Sequence, residues 1–206
     1  EEYDRAIRVW TREGVWRNAL LKQVSPMDGQ AILDVGCGTG TFAVMLKRAA
    51  PGARITGLDP DPQVLQLAAA KAAAAGVDIE LRQGFARDAA SCGKFDRVVS
   101  SLVFHQVPVL EKRAGFDAMI AAVRAGGELH IADYARQRGL MLALFRLTVQ
   151  RLDGLTDTQP NAEGALESLI AEVEPAAARP TCSVRTVTGA IALFRIQRFA
   201  RQGATP

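Results

Sequence analysis

Short apolar runs alternate with longer stretches of helical spacing along this chain. Ala31–Val35 (AILDV) is apolar except for Asp34, the composition of a strand buried on both faces. Thr41–Ala50 follows as a helix, closed by Pro51 and Gly52. The alternation then repeats. ARITGLD is a strand, and Asp61 as N-cap with Pro62 at the first helical position opens an alanine-rich helix that Gly76 ends. In VDIELRQG, Val77, Ile79 and Leu81 alternate as a half-buried strand does, and FDRVVSS is a further strand. Leu110–Arg124 reads as a helix stopped by Gly126-Gly127, and ELHIAD as a fifth strand.

Strands and helices in this rhythm form parallel βαβ units joined right-handedly, with helices on both faces of the sheet, so the predicted class is α/β. A ligand is expected at the carboxyl ends of the strands, near the point where strand order reverses. The ends of the chain behave differently. From Tyr3 to Val24, Ile7, Val9, Trp10, Leu20, Leu21 and Val24 fall at roughly helical spacing, interrupted at Gly14 and stopped by SPMDG. After Asp133 come an apolar helix, Leu140–Leu152, and a second helix from about Ala162 to Glu174. CSVRTV, a Thr188-Gly189 turn and AIALFRIQRF then read as an antiparallel hairpin that closes a seven-stranded, mostly parallel sheet.

With 206 residues, 49% of them hydrophobic, the chain is expected to form one domain. Within it, 1–29 is an N-terminal helical segment, 30–133 a cofactor-binding core, 134–180 a helical lid region and 181–199 the closing hairpin. A formal net charge of +3 does not by itself call for a polyanionic partner. The basic tail, with Arg179, Arg185, Arg195, Arg198 and Arg201 and no acid after Glu174, reads as solvated arginines on an edge strand. Nucleic acid is therefore not the expected partner. Cys37, Cys92 and Cys182 are odd in number and far apart, which excludes a disulfide framework and a zinc spacing. With only His105 and His130 as histidines, no protein-built metal site is expected. No apolar run spans a bilayer and no charged-then-apolar leader opens the chain, so a soluble, cytoplasmic protein is expected; the opening on Glu1 rather than Met leaves room for residues before it.

The candidate chemistry begins in AILDVGCGTGTFA. Glycines at 36, 38 and 40 turn the chain sharply and let backbone N–H groups approach a ligand that a Cβ would block. The spacing is G-x-G-x-G, without the third glycine one place later that the dinucleotide fingerprint uses. Asp34 weighs further against phosphate, because a carboxylate at a strand end repels a diphosphate and attracts a cation. S-adenosylmethionine carries a sulfonium and an ammonium and no phosphate. Asp59, at the end of the second strand, stands where an acid accepts both hydroxyls of an adenosine ribose.

ILDVGCGTG, GLDPD, FDRVVSSLVFH and RAGGELHIAD, in this order and spacing, resemble the class I S-adenosylmethionine-dependent methyltransferases, in particular the small-molecule branch that includes the ubiquinone/menaquinone-biosynthesis type. The resemblance implies a Rossmann-like fold and an enzyme that takes S-adenosylmethionine and releases S-adenosylhomocysteine. It further implies that Asp34 and the loop residues Gly36, Cys37, Gly38, Thr39 and Gly40 line the methionine and ribose part of that cofactor. Asp59 binds the ribose hydroxyls with Pro60 beside the adenine; Gly84, Phe85 and Ala86 match the adenine segment; Ser100, Ser101 and Leu102 match the strand end whose backbone faces the cofactor amine. Where many relatives carry an acid after the glycine matched by Gly84, this chain has Phe85, which either packs on the adenine while Asp88 reaches the amino group or is a core residue.

Methyl transfer from a sulfonium is an in-line displacement that mainly needs alignment and exclusion of water. A base helps a phenol, enol or ammonium acceptor, and His105, following the fourth strand, is the candidate; the alternative is a histidine that shapes the pocket. His130 lies within a strand pattern and reads as structural. SSLVFHQVP lacks the Asn-Pro-Pro-aromatic signature that holds amide or exocyclic amine nitrogens, which argues against adenine-N6 or glutamine methylation. Leu140, Met141, Leu144, Phe145 and Leu147 suit a lid over a small apolar or aromatic acceptor, or a helix packed on the core; Tyr3 and Trp10 could close over the cofactor. A non-catalytic S-adenosylmethionine sensor and a NAD-dependent oxidoreductase are the competing readings.

Overall fold

The computed structural model describes residues 12–198. Tyr3, Ile7, Val9 and Trp10 of the expected leading helix lie outside them. Its described part is α1 (Glu13–Val24), which buries Trp16, Leu20 and Val24 at four-residue spacing, one helical face.

A single sheet runs in the order β3-β2-β1-β4-β5-β7-β6. Its strands are β1 (Ala31–Val35), β2 (Arg54–Asp59), β3 (Glu80–Gln83), β4 (Phe95–Ser101), β5 (Val123–Tyr134), β6 (Cys182–Thr186) and β7 (Gly189–Gln197). β1 pairs with β2 in parallel, Ala31 opposite Arg54 and Asp34 opposite Gly57, and β2 pairs likewise with β3. β6 and β7 are antiparallel, with Thr186 opposite Gly189, as the hairpin pattern predicts. The order reverses between β1 and β4, the place where sheets of this kind take ligands.

The chain divides into two compact units. Pro26–Val99, Gly115–Leu129 and residues 196–198 form the first, centred on buried Ile32, Leu33, Phe42, Leu46, Leu58, Val98 and Val99. Its helices are α2 (Thr41–Ala49), α3 (Pro62–Ala74) and most of α4 (Val109–Ala122). Asp61 caps α3 as expected, accepting from the Gln63 N–H at 2.8 Å, with Pro62 in the first turn. The end of α4 departs from the expected stop at Gly126-Gly127: the helix ends at Ala122 and β5 starts at Val123. Pairing with the end of the chain explains this. The Gly126 N–H donates to the Arg198 carbonyl (2.8 Å) and the Arg198 N–H to the Gly127 carbonyl (2.9 Å), extending the ladder across both glycines. The Arg198 guanidinium donates to the carbonyls of Ile120 and Ala121, at 3.2 and 3.0 Å. This tail arginine therefore serves as a helix C-cap.

The second unit comprises residues 12–25, Ser100–Ala114 and His130–Arg195, around Trp16, Leu20, Phe104, Phe145, Leu166, Ile170 and Phe194. His130 is fully buried and its Nδ1 pairs with Gln23 Nε2 at 3.2 Å, in line with a structural role. The apolar helix expected over Leu140–Leu152 is broken into α5 (Gly139–Leu147) and α6 (Val149–Asp153). Thr148, at φ −113° and ψ −79°, makes the break, its hydroxyl donating back to the Leu144 carbonyl at 2.7 Å. An additional helix, α7 (Leu155–Glu163), follows, and Gly164 (φ +102°) separates it from α8 (Ala165–Val173), so the helix expected from Ala162 starts later. Among the described residues no helix is long and apolar enough to cross a membrane.

Candidate functional site

In the first unit the site is built on the turn after β1. All five residues of β1 are buried, Asp34 included, so the strand delivers its loop from a fixed base. Gly36, Gly38 and Gly40 take φ of +69°, +54° and +73°, the left-handed region that glycine enters without penalty. At Gly40 there is also no room, since a Cβ would stand 3.0 Å from that of buried Ala68. Nothing stands within 4 Å of the position a Cβ would take on Gly38: the loop is open on that side.

Two side chains brace the loop. The Gly38 N–H donates to Asp59 Oδ2 (2.9 Å) and the Asp61 N–H to Asp59 Oδ1 (3.1 Å), so one carboxylate organises the ends of β1 and β2. Lys71 Nζ donates to the hydroxyls of Thr39 and Thr41, each at 2.7 Å. The electrostatic sign of the loop is recorded by Cys37. Its thiol pKa is pushed far up by burial and then by Asp34 and Asp59, an environment that resists negative charge. Each Asp59 oxygen keeps acceptor capacity beyond its one N–H. An open cradle, a carboxylate able to take vicinal hydroxyls and an anion-averse field fit a cationic adenosyl ligand and not a pyrophosphate.

The segment after β3 lies in the same unit. The Gly84 N–H donates to the Asp59 carbonyl at 3.1 Å, and Gln83 Nε2 to the Pro60 carbonyl at 3.1 Å. Phe85 is 50% exposed, which overturns the core reading; the Arg87 guanidinium lies over its ring at 4.4 Å. Asp88 caps the 3₁₀ turn Ala86–Cys92 by accepting from the Phe85 N–H at 2.9 Å. Asp34, the glycine loop, Asp59, Pro60 and Gly84–Ala86 are thus brought together in one unit, with Ser100, Ser101, Leu102 and His105 in the other.

In that second unit the chain leaves β4 through a strained residue. Leu102 is left-handed (φ +57°), an unusual and costly conformation for leucine, and is held there by its N–H donating to the Ala132 carbonyl at 2.9 Å. The turn Phe104–Gln106 is then gathered by Asp133, at the end of β5. Asp133 Oδ2 accepts from the Phe104 N–H (2.6 Å), and Oδ1 accepts from His105 Nδ1 (2.8 Å) and the Tyr134 N–H (2.7 Å). His105 Nε2 stands 3.5 Å from Asp153 Oδ2 at the end of α6, and the Tyr134 ring meets the imidazole edge-on at 5.1 Å. Burial alone would lower the His105 pKa; Asp133 and then Asp153 outweigh it and hold the imidazole at about 9. Lys112, buried beneath, donates to the carbonyls of Phe104 and Asp157, and burial pushes its ammonium down to about 8.

The sequence reading selected His105 without its partners. Asp133 carries the same signal that drew attention to Asp34 and Asp59, an acid closing an apolar strand. Asp153 and Lys112 carry none, since each is one charge on a helix until the fold places it.

A model of a methyltransferase domain matches residues 32–127. The demethylmenaquinone methyltransferase of Deinococcus radiodurans is 33% identical over 167 residues, which are 78% of this chain and 68% of that protein. The chain belongs to the class I S-adenosylmethionine-dependent methyltransferases. The ubiquinone biosynthesis O-methyltransferase of a Methylobacterium species is 36% identical over 58% of this methyltransferase, which spans about half of that relative's length (47%). Among solved structures, one from work on the conversion of a disulfide bond into a thioacetal group during echinomycin biosynthesis is 26% identical. It has a TM-score of 0.65 and covers 90% of this methyltransferase and 82% of its own chain. The cofactor of the methyltransferase is S-adenosylmethionine.

Proposed function

We propose that this methyltransferase moves the methyl group of S-adenosylmethionine to a small apolar or aromatic acceptor by in-line displacement. The observation that carries the acceptor class is the surface of α5, which is apolar on two sides. Phe145 is buried against Tyr134, while Leu140 and Leu147 on the other side are 70% and 60% exposed. A surface helix ordinarily buries its apolar stripe and turns polar residues outward; bare leucines opposite the buried Phe145 suit a ligand of like character. The named reactions of the two quinone-biosynthesis relatives lie in the same chemical class.

In this reading Asp59 takes the ribose hydroxyls, with Pro60 and the Gly84–Ala86 segment beside the adenine. Asp34 and the loop Gly36–Gly40 hold the methionine part. Bound there, the cofactor supplies a methyl group on a positively charged sulfur, which needs no further activation. His105 Nε2 takes the proton of an acceptor hydroxyl, and Asp133 keeps the opposite ring nitrogen protonated and the ring in place. Because His105 is held at about 9, only the fraction that has lost its proton serves as base at neutral pH.

The test is transfer of labelled methyl from S-adenosylmethionine to a panel of phenols and hydroquinones, with total RNA as a parallel acceptor. Label entering the organic extract, increasing with pH toward about 9 and falling roughly 10²-fold or more in His105→Gln, is the expected outcome. Label entering RNA alone, or cofactor binding without turnover on any acceptor, overturns the proposal.

A further inference from the structure

A second concentration of chemistry lies in the second unit, on a cleft of about 380 Å³ lined by Arg136, Arg138, Arg146, Leu142, Gln159 and Glu163 among others. This volume falls in the range of small-molecule sites. Three guanidinium groups line it, and none of them is engaged by an ion pair or a side-chain hydrogen bond among the described residues. The polar neighbours are already committed. Gln137 donates to the carbonyls of Ala135 (2.7 Å) and Ala190 (2.8 Å) and accepts from the Ala190 N–H (2.8 Å). Gln159 accepts from Gln150 (2.8 Å) and donates to Glu163 (2.6 Å), so the one carboxylate on the cleft wall is bonded to an amide and not to an arginine.

The start of α5 adds to the same sign. Arg138 is its N-cap residue, no side chain caps it, and its first turn holds no acid, so its N-terminal end adds positive sign with nothing on the helix to offset it. Glu163 on the wall and Glu167, whose Oε1 accepts from the Arg136 N–H at 2.8 Å, are two carboxylates against three cations and a bare helix N-terminus, which leaves the positive sign in excess. Arginine forks match the oxygens of phosphate and carboxylate two at a time. Three arginines can engage all three free oxygens of a phosphate monoester, one more than a carboxylate offers, and Leu142 with Ala162 gives its substituent an apolar wall.

We infer that this cleft is a binding site for a phosphate monoester, its dianion held by Arg136, Arg138 and Arg146 and its organic part lying on Leu142 and Ala162. The inference stands on these residues and holds whichever acceptor the methyltransferase uses.

The same dianion occurs in a free metabolite and in a lipid headgroup, and the experiment separates the two. The chain is titrated calorimetrically with inorganic phosphate and with octyl phosphate, and sedimented with phosphatidylcholine vesicles with and without phosphatidic acid. The variants are Arg138→Gln, Arg146→Gln and the pair, each checked by its thermal unfolding. Saturable octyl phosphate binding, tighter than inorganic phosphate and about ten-fold weaker for each arginine removed, supports the site as one for a free ester. Co-sedimentation that requires phosphatidic acid and is lost in the double variant supports it with a lipid source. No saturable binding in either arm, or binding that folded double variants retain in full, overturns it.

Discussion

Replacing Asp133 by Asn should flatten the dependence of stability on pH. In the folded chain His105 ionises at about 9, against 6.5 for an unhindered imidazole, a difference of about 2.5 pH units. At ~1.36 kcal/mol per pH unit, the folded state is stabilised by up to about 3 kcal/mol through this one proton. The folded pKa is raised, so the contribution is complete below pH 6.5 and is lost as pH rises toward about 9. Lys112 acts oppositely. Its folded pKa is depressed to about 8, and above that value the unfolded chain holds the extra proton, so stability recovers with pH there. His105 therefore dominates from pH 6.5 to 8, and with the opposing onset of Lys112 the wild-type unfolding free energy should fall there by about 1 kcal/mol. Urea denaturation at pH 6.5, 7.2 and 8 reads this directly, and the imidazole resonances of His105 report its protonation in parallel. In Asp133→Asn the fall over this window should be mostly gone, and the protein should be less stable by several kcal/mol at pH 6.5, because the remaining amide cannot accept from all three donors of Phe104, His105 and Tyr134. A wild-type curve flat over the window, or a variant that keeps the wild-type slope, would refute the reasoning.

Other expectations are simpler to check. Gly40→Ala places a Cβ 3.0 Å from that of Ala68 at a φ of +73°, and should cost about 1–3 kcal/mol in a thermal or denaturant melt; an unchanged melt would contradict the loop geometry. Cys37 is buried with its thiol pKa pushed up, whereas Cys182 is exposed, so iodoacetamide at pH 8 should label Cys182 first and leave Cys37 unmodified until the chain unfolds. Peptide mapping of the alkylated protein decides it.

The parts of the molecule legible in the sequence are those fixed by local rules. AILDV could only be a doubly buried strand, Asp61-Pro62 could only open a helix, and three alternate glycines required the left-handed turns that the loop adopts. Asp59 was legible because a strand end and a residue count place it beside the loop. The lid region was not. Its single apolar run hides a break at Thr148, whose hydroxyl and N–H share the Leu144 carbonyl while its backbone leaves the helical region, and α7 carries Pro160 within a weakly helical segment. Asp133 stood out as an acid at a strand end, but its pairing with His105 did not, because 28 residues separate them and only the sheet brings them together. Phe85 stood between two readings, a platform for the adenine and a core residue, and only the fold removes the second. Its neighbours name an apolar residue, but the turn that Asp88 caps directs the ring outward.

The central claim is that the Gly36–Gly40 loop with Asp59 forms an adenosyl-sulfonium site. It is tested most directly by calorimetric titration of the wild-type chain and Asp59→Ala with S-adenosylmethionine, S-adenosylhomocysteine and NADH. Loss of two hydrogen bonds to a carboxylate predicts binding of both sulfur compounds that weakens by roughly 10²-fold or more in the variant, with no response to NADH. Saturable NADH binding, or S-adenosylmethionine binding that a folded Asp59→Ala retains at full strength, would contradict it.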